Sequence, residues 1–183
     1  GVIATDALIG GGGELSEITP ETMEALNAVL PTVWSHNNPI DIIGDAPPDR
    51  YAKALEIAAT DPETDGLLVI LTPQAMTDPT ATARALVKHA KIEGKPVLAS
   101  WMGGEEVAEG AKILREAGIP TFAYPDTACV LFNHLWRYDH NLRSLYETPR
   151  LPIAPERGEF REEVDQIIAD VSAEGRTLLT EYE

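Results

Sequence analysis

Three short segments of the sequence contain residue types that could bind a small anion. They are Asn38-Pro39-Ile40-Asp41, residues 72–76 (Thr-Pro-Gln-Ala-Met) and Met102-Gly103-Gly104. Backbone N–H groups in such turns, and at helix N-termini, attract carboxylates and phosphates. We therefore predict an anion site, although each segment taken singly is also compatible with a plain tight turn. The predicted binding residues are Asn38, Pro39, Asp41, Thr72, Pro73, Gln74, Ala75, Met76, Gly103 and Gly104.

The elements that position these segments alternate between strand and helix along the chain. Short apolar runs bounded by Gly and Pro predict strands at 67–71, 97–101 and 121–124. Helical periodicity and capping residues predict helices at 2–9, from Thr19 onward, and at 49–60, 79–93, 105–117, 128–146 and 160–173, with a loop at 34–45. This alternation predicts an α/β fold, a parallel sheet with helices on both faces. Ligands of such sheets bind where strands end and helices begin.

Composition and charge exclude several classes of function. The chain has 183 residues and 44% hydrophobic content, which allows one sizeable domain, or one domain with an appendage. Its net charge of -16 disfavours binding to nucleic acid, which requires clustered Lys and Arg. No apolar run approaches the roughly 18 residues needed to cross a membrane. We expect an acidic, cytoplasmic protein of bacterial type.

Motifs for other chemistries are absent from the sequence. The glycine run 10–13 follows a predicted helix rather than a strand, so it fails the test for a dinucleotide-binding turn. Neither a P-loop lysine motif, a CxxC pair nor an HExxH motif occurs. Cys129 lies in an apolar run and is predicted to be a buried small hydrophobe. His36 is the histidine closest to the predicted site, but we assign no catalytic residue and no metal ligand.

The composition changes near Thr148. Residues 147–160 contain three prolines and lack periodicity, which predicts a linker over 148–159. The helix predicted at 160–173 has one apolar face, and we therefore expect it to pack against a partner surface. We expect a domain at 1–147, a linker at 148–159 and a final helical segment at 160–183.

The order of several motifs resembles the NDP-forming acyl-CoA synthetases, also called ADP-forming acetate–CoA ligases, which are relatives of succinyl-CoA synthetase. The motifs are residues 1–7, Asn38-Pro39-Ile40-Asp41, 68–74, 95–104, 118–120, 124–125 and 179–183. No single motif is diagnostic, and their order and spacing carry the resemblance. The resemblance implies that this chain is the second flavodoxin-like ligase domain of that family, truncated before Gly1. A linker and a helix would follow it, and the helix would lead into an ATP-grasp domain that is absent here.

The resemblance also implies a reaction, in which acid, CoA and ATP yield acyl-CoA, ADP and phosphate through an acyl phosphate and a phosphohistidine. Gly1 and Val2 would receive the phosphate at a helix end, and the turn at 72–76 would hold a short-chain carboxylate such as acetate. The carrier histidine would lie outside this chain. CoA, ATP or ADP, and Mg would serve the parent protein, with none bound by this fragment alone, which is expected to be inactive.

The implied partners are the CoA-binding, phosphohistidine and ATP-grasp domains of the same parent chain. We expect the parent to form a homodimer and to bind neither nucleic acid nor a membrane. Two other readings stay open at this point. The chain could be an acyl-CoA-sensing module of a multidomain lysine acetyltransferase, or, less well supported, a free-standing flavodoxin-like interaction module. The residues themselves do not identify the acid or distinguish ADP from GDP.

Overall fold

A computed structural model describes residues 1–146 and 159–180 of the chain. The helices are α1 (Val2–Gly10), α2 (Pro20–Val29), α3 (Pro48–Thr60), α4 (Pro79–Leu86), α5 (Ala108–Glu116), α6 (Pro125–Tyr146) and α7 (Glu159–Ala173). The strands are β1 (Leu67–Leu71), β2 (Val97–Trp101) and β3 (Thr121–Phe122), and short 3-10 turns cover Val87–His89 and Gly104–Val107. The chain divides into two compact units, Gly1–His140 and Asn141–Glu183.

The strands form a parallel sheet in the order β1-β2-β3, as the strand–helix alternation predicts. Leu67 pairs with Val97 and Leu71 with Trp101, while Ala99 pairs with Thr121. Every residue of β2 is buried, whereas β1 is largely half-buried. The central position of β2 explains this difference, because a parallel strand with neighbours on both sides and helices on both faces has no contact with water.

One face of the sheet is closely packed against α3, α4 and α5. The buried residues of this cluster come from α3, β1, β2, α4, α5, the 3-10 turn before α5 and the segment before β3: Leu55, Leu71, Ala83, Leu86, Val97, Ala99, Trp101, Val107, Ala111, Leu114 and Ile119. The indole N–H of Trp101 donates to the carbonyl of Pro79 at 3.3 Å, which satisfies the polar atom of an otherwise apolar side chain. We call this side of the sheet the packed face.

The opposite side, which we call the open face, carries Leu68, Ile70 and Leu98. These residues line a cavity of about 930 Å³ together with residues of α1 and α6. Phe132 of α6 approaches the backbone of Gly66, where an added Cβ would lie 2.5 Å from its ring. Helices are thus present on both sides of the sheet, as predicted, and the described residues of the open face leave this cavity between them.

A second apolar cluster joins α2 to α3. Leu26, Leu30, Trp34 and Ala54 form its buried part. Asp61, which follows α3, accepts hydrogen bonds from the backbone N–H and the hydroxyl of Thr19, both at 3.0 Å. Thr19 caps α2, as the Thr-Pro-Glu pattern predicts. The carboxylate therefore fixes the beginning of α2 against the end of α3.

Several predicted boundaries were wrong. Helix α4 ends at Leu86 instead of 93, because a 3-10 turn and the Ile92–Lys95 bridge follow it. Strand β3 ends at Phe122 rather than 124, since α6 begins at Pro125, three residues before the predicted start at 128. A 3-10 turn replaces the first part of the helix predicted at 105–117. The loop at 34–45 contains neither helix nor strand, as predicted.

The predicted linker and domain limits remain predictions. Residues 148–158 of the linker lie outside the described residues, and residue 159 is the first of α7. Among the residues that the structure describes, no helix is both long and apolar enough to span a membrane.

Candidate functional site

The turns that follow β1 and β2 lie against each other at the carboxyl edge of the sheet. The Thr72 hydroxyl lies 3.7 Å from the Met102 sulfur. A Cβ added to Gly103, whose φ is +148°, would lie 2.7 Å from Cγ of Pro73. Because this φ and this close approach both exclude a side chain, Gly103 is the residue that lets the two turns meet.

The loop that follows the third predicted segment reaches the same edge at Gly44. A Cβ on Gly44 would lie 2.5 Å from the Gln74 amide nitrogen, so the Gln74 side chain rests directly on this glycine. Residues 72–76 thus contact both the 102–104 turn and Gly44. The fold therefore brings together two of the three predicted segments, the turns after β1 and β2, while Asn38 and Pro39 of the third line the open-face cavity.

The turn after β1 has an internal structure of its own. The N–H of Gln74 donates to the Thr77 hydroxyl at 3.1 Å, and the N–H of Thr77 donates to the Gln74 carbonyl at 2.9 Å. Asp78 then caps α4 by accepting from the N–H of Ala81 at 2.8 Å. The Gln74 N–H is therefore already engaged, while Ala75 and Met76 are exposed, with 82% of Met76 accessible.

Ser35 and Asp41 hold the loop at residues 38–44. The Ser35 hydroxyl donates to the carbonyl of Pro39 at 2.8 Å and accepts from the N–H of Asp41 at 2.9 Å. The Asp41 carboxylate accepts from the N–H of Ile43 at 2.9 Å, which is the turn-fixing bond that its position after Asn-Pro predicts. The Asn38–Pro39 peptide is cis.

The beginning of α1 and residues Asn38 and Pro39 form a separate group. A Cβ on Gly1 would lie 3.7 Å from Cγ of Pro39, and the Asn38 amide donates to the Ser16 carbonyl at 2.9 Å. All of these residues line the open-face cavity. Gly1 has no side-chain cap, and Val2 is 76% exposed, so the N–H groups of the first turn of α1 remain available to an anion.

Charge at this edge does not come from basic side chains. Residues 38–44, 72–77 and 102–104 contain no Lys or Arg, and Glu105 and Glu106 follow directly after Gly104. Arg50 is paired with Asp45 at 2.7 Å and also donates to the Ile42 carbonyl at 3.2 Å. An anion at this edge would therefore depend on backbone N–H groups and helix N-termini.

Several residues near the site were missed by sequence reasoning: Ser35, Gly44, Arg50 and Tyr51. The pKa of Tyr51 is raised, first by burial and then by the negative charge of Asp41. Ser35 and Gly44 flank the Asn-Pro-Ile-Asp segment, and a turn-forming Ser and Gly at those positions were the available signal. Arg50 and Tyr51 lie in the first turn of α3, which begins at Pro48, and no local pattern connects them to Asp41.

The histidines and the cysteine do not gather at this edge. His36 is exposed, stacks at 4.7 Å on Trp34, and its Nε2 lies 3.0 Å from the Thr32 carbonyl. Burial and the charge of Lys88 lower the pKa of His89. Cys129 is buried, as predicted, and lines the open-face cavity. In residues 1–146 and 159–180, no group of three or more His, Cys, Asp or Glu could hold a metal ion.

The comparisons with known proteins identify this parallel α/β domain. The family model described as Ligase-CoA domain matches residues 1–141. The chain therefore belongs to the Ligase-CoA domain family.

Individual relatives of this chain are ADP-forming acetate–CoA ligases. The chain is 34% identical over its full length to the acetate–CoA ligase [ADP-forming] I of Archaeoglobus fulgidus, and 32% identical over 99% of its length to the acetate–CoA ligase [ADP-forming] of Methanocaldococcus jannaschii. It spans 26% and 25% of these relatives, about a quarter of each. These organisms are archaea, and the bacterial type expected of this chain stays a prediction.

A solved structure shares the fold. The dinucleotide-forming acetyl-coenzyme A synthetase 1 of Ca. Korarchaeum cryptofilum, in complex with phosphate and ADP, superposes with a TM-score of 0.74 at 30% identity. The match covers 83% of this chain and 33% of that protein. The resemblance noted from the sequence is thereby confirmed.

Proposed function

We propose that this chain is the ligase domain of an ADP-forming acyl-CoA synthetase, which makes acetyl-CoA or a similar short acyl-CoA. The parent enzyme would use the acid, CoA and ATP, with Mg, and would pass the phosphoryl group through an acyl phosphate and a phosphohistidine. The observation that carries this proposal is the full-length similarity to ADP-forming acetate–CoA ligases. The alternative, an acyl-CoA sensor in a lysine acetyltransferase, gains no support from these relatives.

The geometry supports a binding role for this domain. Gly103 lets the turns after β1 and β2 meet, and Gln74 packs on Gly44, so these two turns and Gly44 lie together at one stretch of the carboxyl edge. In our proposal a short carboxylate binds near Thr72 and Met102. The first turn of α1, at Gly1 and Val2, offers N–H donors and the positive end of a helix to a phosphoryl group.

The other domains of the parent would supply the remaining parts. In our proposal the CoA-binding and ATP-grasp domains hold CoA and ADP or ATP with Mg, and the preceding domain carries the phosphorylated histidine. The parent is proposed to be a cytoplasmic homodimer. The chain spans only about a quarter of its curated relatives, which leaves room for these domains.

The first experiment uses the parent chain and ATP labelled at the γ-phosphate. We expect an acid-labile phosphoprotein whose label is discharged by acetate together with CoA. Label that never forms, with acyl-CoA still bound, would overturn the ligase and favour the sensor. The isolated 183 residues are expected to show no ATP-dependent CoA ligation. Turnover by this fragment would contradict the proposal that the other domains are required for the reaction.

A variant at the junction of the turns tests the site itself. Gly103→Ala places a Cβ against Pro73 and forces an L residue into φ +148°. A displacement of about 1 Å can reduce turnover on the order of 100-fold, so we expect a loss of this size in the parent enzyme. Gly94→Ala is the matched control, because Gly94 also has a positive φ, +74°, but nothing lies within 4 Å of its Cβ. Equal activity of the two variants would show that this edge of the sheet is not part of the binding site.

A further inference from the structure

The glycine run at residues 10–13 joins the end of α1 to α6, a contact that the proposed function has not used. A Cβ on Gly11 would overlap Nδ2 of Asn133, and a Cβ on Gly13 would lie 2.5 Å from Oδ1 of the same side chain. Gly11 has φ −89° and ψ 1°, a conformation that other residues also adopt. Space for Asn133, rather than backbone conformation, therefore requires glycine at this position.

Asn133 connects two distant parts of the chain by a buried hydrogen bond. Its side chain is 5% exposed, and its Nδ2 donates to the Leu8 carbonyl at 3.0 Å. One turn further along α6, Nη2 of Arg137 donates to the Gly11 carbonyl at 3.3 Å. Both donors thus meet the C-terminal end of α1, which is the negative end of its dipole.

Apolar packing does little to fix the orientation of α1. Within the part of the chain that the structure describes, Ala4 is the residue of α1 that is buried, while Val2, Ile3 and Ile9 are exposed. Apolar contacts are non-directional, so one small buried side chain resists sliding or rotation of the helix only weakly. A buried hydrogen bond has a preferred geometry and favours a single arrangement.

We propose that Asn133 is a positioning residue for the phosphoryl-transfer step and acts through α1 rather than on the reacting atoms. The inference rests on the proposed function, in which the first turn of α1 receives the phosphoryl group. Leu8 lies about 9 Å along the helix axis from Val2, at 1.5 Å per residue. Because the helix is internally hydrogen-bonded, a tilt at its C-terminal end displaces its first turn.

The step that depends on this position is the discharge of the phosphohistidine. In the proposed reaction its P–N bond breaks, the imidazole keeps the electron pair, and a P–O bond forms to the carboxylate of the acid. The CoA thiol then displaces phosphate from the acyl phosphate, and its proton leaves with the phosphate. The formation of the phosphohistidine from ATP takes place on other domains and does not involve Asn133.

Asn133→Leu in the parent enzyme tests the role of the amide, because leucine has a similar size but no donor. With ATP labelled at the γ-phosphate, the formation of the phosphoprotein and its discharge by saturating acetate and CoA are timed separately. We expect discharge to slow on the order of 100-fold, as a displacement of about 1 Å can cause, while label formation keeps its wild-type rate. The kcat for acetyl-CoA should fall, and the KM for acetate should not change.

Lys95→Met is the matched control for loss of a helix-end contact. Nζ of Lys95 donates to the carbonyls of Ala59 and Asp61, at 3.0 and 2.6 Å, at the end of α3. Lys95→Met therefore removes donors from the C-terminal end of a different helix, and both labelling rates should stay at the wild-type value. Thermal unfolding of both variants measures what each loses in stability.

Gly11→Ala tests the same contact from the other side. Its Cβ displaces the Asn133 amide, so discharge should slow as it does in Asn133→Leu. In an Asn133→Ala background that space is free, and the nearest remaining atom is the Ala7 carbonyl oxygen at 3.3 Å. Gly11→Ala should then add no further loss. This comparison also decides the question if Asn133→Leu does not fold.

The outcomes separate this inference from the proposed function. Normal discharge in Asn133→Leu, or equal slowing in Lys95→Met, would overturn the positioning role and leave the proposed function intact. A further loss from Gly11→Ala in the Asn133→Ala background would also contradict it. A wild-type parent that never becomes labelled would refute the proposed function and this inference together.

Discussion

The two faces of the sheet are built from the same strands, yet they differ in how closely helices pack against them. On the packed face, α3, α4 and α5 cover side chains that are almost entirely buried, such as Leu86 and Leu114. On the open face, α1 and α6 border a cavity of about 930 Å³. Because close packing and exclusion of water determine how much a residue stabilises a fold, we expect the faces to respond differently to the same substitutions.

The largest effect is expected from Leu114→Ala on the packed face. Leu114 is completely buried, so its truncation removes apolar contacts and leaves a cavity, at a cost of about 2–5 kcal/mol. Leu68→Ala on the open face is the matched control, and it should cost less than half as much because its side chain already borders empty space. Denaturant unfolding of both variants measures the difference, and equal losses would mean that the faces are equally well packed.

An added methyl group tests the same contrast from the opposite direction. In Gly110→Ala, the Cβ would lie 2.7 Å from the Pro79 carbonyl oxygen and 2.8 Å from the Trp101 indole nitrogen. Overpacking of this kind costs about 1–3 kcal/mol. Gly10→Ala, whose Cβ meets nothing within 4 Å, is the control and should not lower stability. A neutral Gly110→Ala would show that α5 can shift away from α4.

Asp61 connects the end of α3 to Thr19 at the rim of the cavity. Burial alone raises the pKa of its carboxyl, but hydrogen bonds from the backbone of Thr19 and Glu63 and from the hydroxyls of Thr22 and Thr19 outweigh burial and lower this pKa below its ordinary value. A lowered folded-state pKa stabilises the fold above the unfolded pKa, and this contribution is lost as the pH falls through the folded value.

We expect Asp61→Asn to destabilise the fold by about 1–3 kcal/mol at neutral pH. The deficit relative to wild type should shrink as the pH falls from the ordinary carboxyl pKa through the lowered pKa of the folded state, because the wild-type carboxyl then becomes protonated. Unfolding curves between acidic and neutral pH measure this, with the exposed Asp65→Asn as control. A deficit that is independent of pH would assign the loss to geometry rather than to charge.

The smallest effect concerns the thiol on the open face. The pKa of Cys129 is raised, first by burial and then by the charge of Asp126, so less thiolate is present at neutral pH. We expect iodoacetamide to modify it at least about 10-fold more slowly than a free cysteine at neutral pH, with the rate rising toward alkaline pH. Unfolding the protein should restore the ordinary rate. Rapid modification of the folded chain would indicate that reagents enter the cavity freely.

The sequence by itself determined the elements and the edge at which the candidate site lies. Apolar runs such as Leu67–Leu71, followed by Thr-Pro or Gly-Gly turns, are local patterns, and the parallel order of strands follows from their alternation with helices. The three candidate segments were found for the same reason, since turn chemistry depends on adjacent residues. The capping of α2 by Thr19 was predictable from the same short range.

Only the tertiary structure decided which of these parts touch. Gly103 is required because Pro73, thirty residues earlier, occupies the space of its side chain, and Gly44 is covered by Gln74. The separation of the first turn of α1, Asn38 and Pro39 from the turns after β1 and β2 also has no local signal. Helix α4 ends early and β3 is short for the same reason, because the packing of neighbouring elements outweighs weak propensities. The open edge of β1 is a property of the assembled sheet, since no pattern within an apolar run shows which of its sides has a partner.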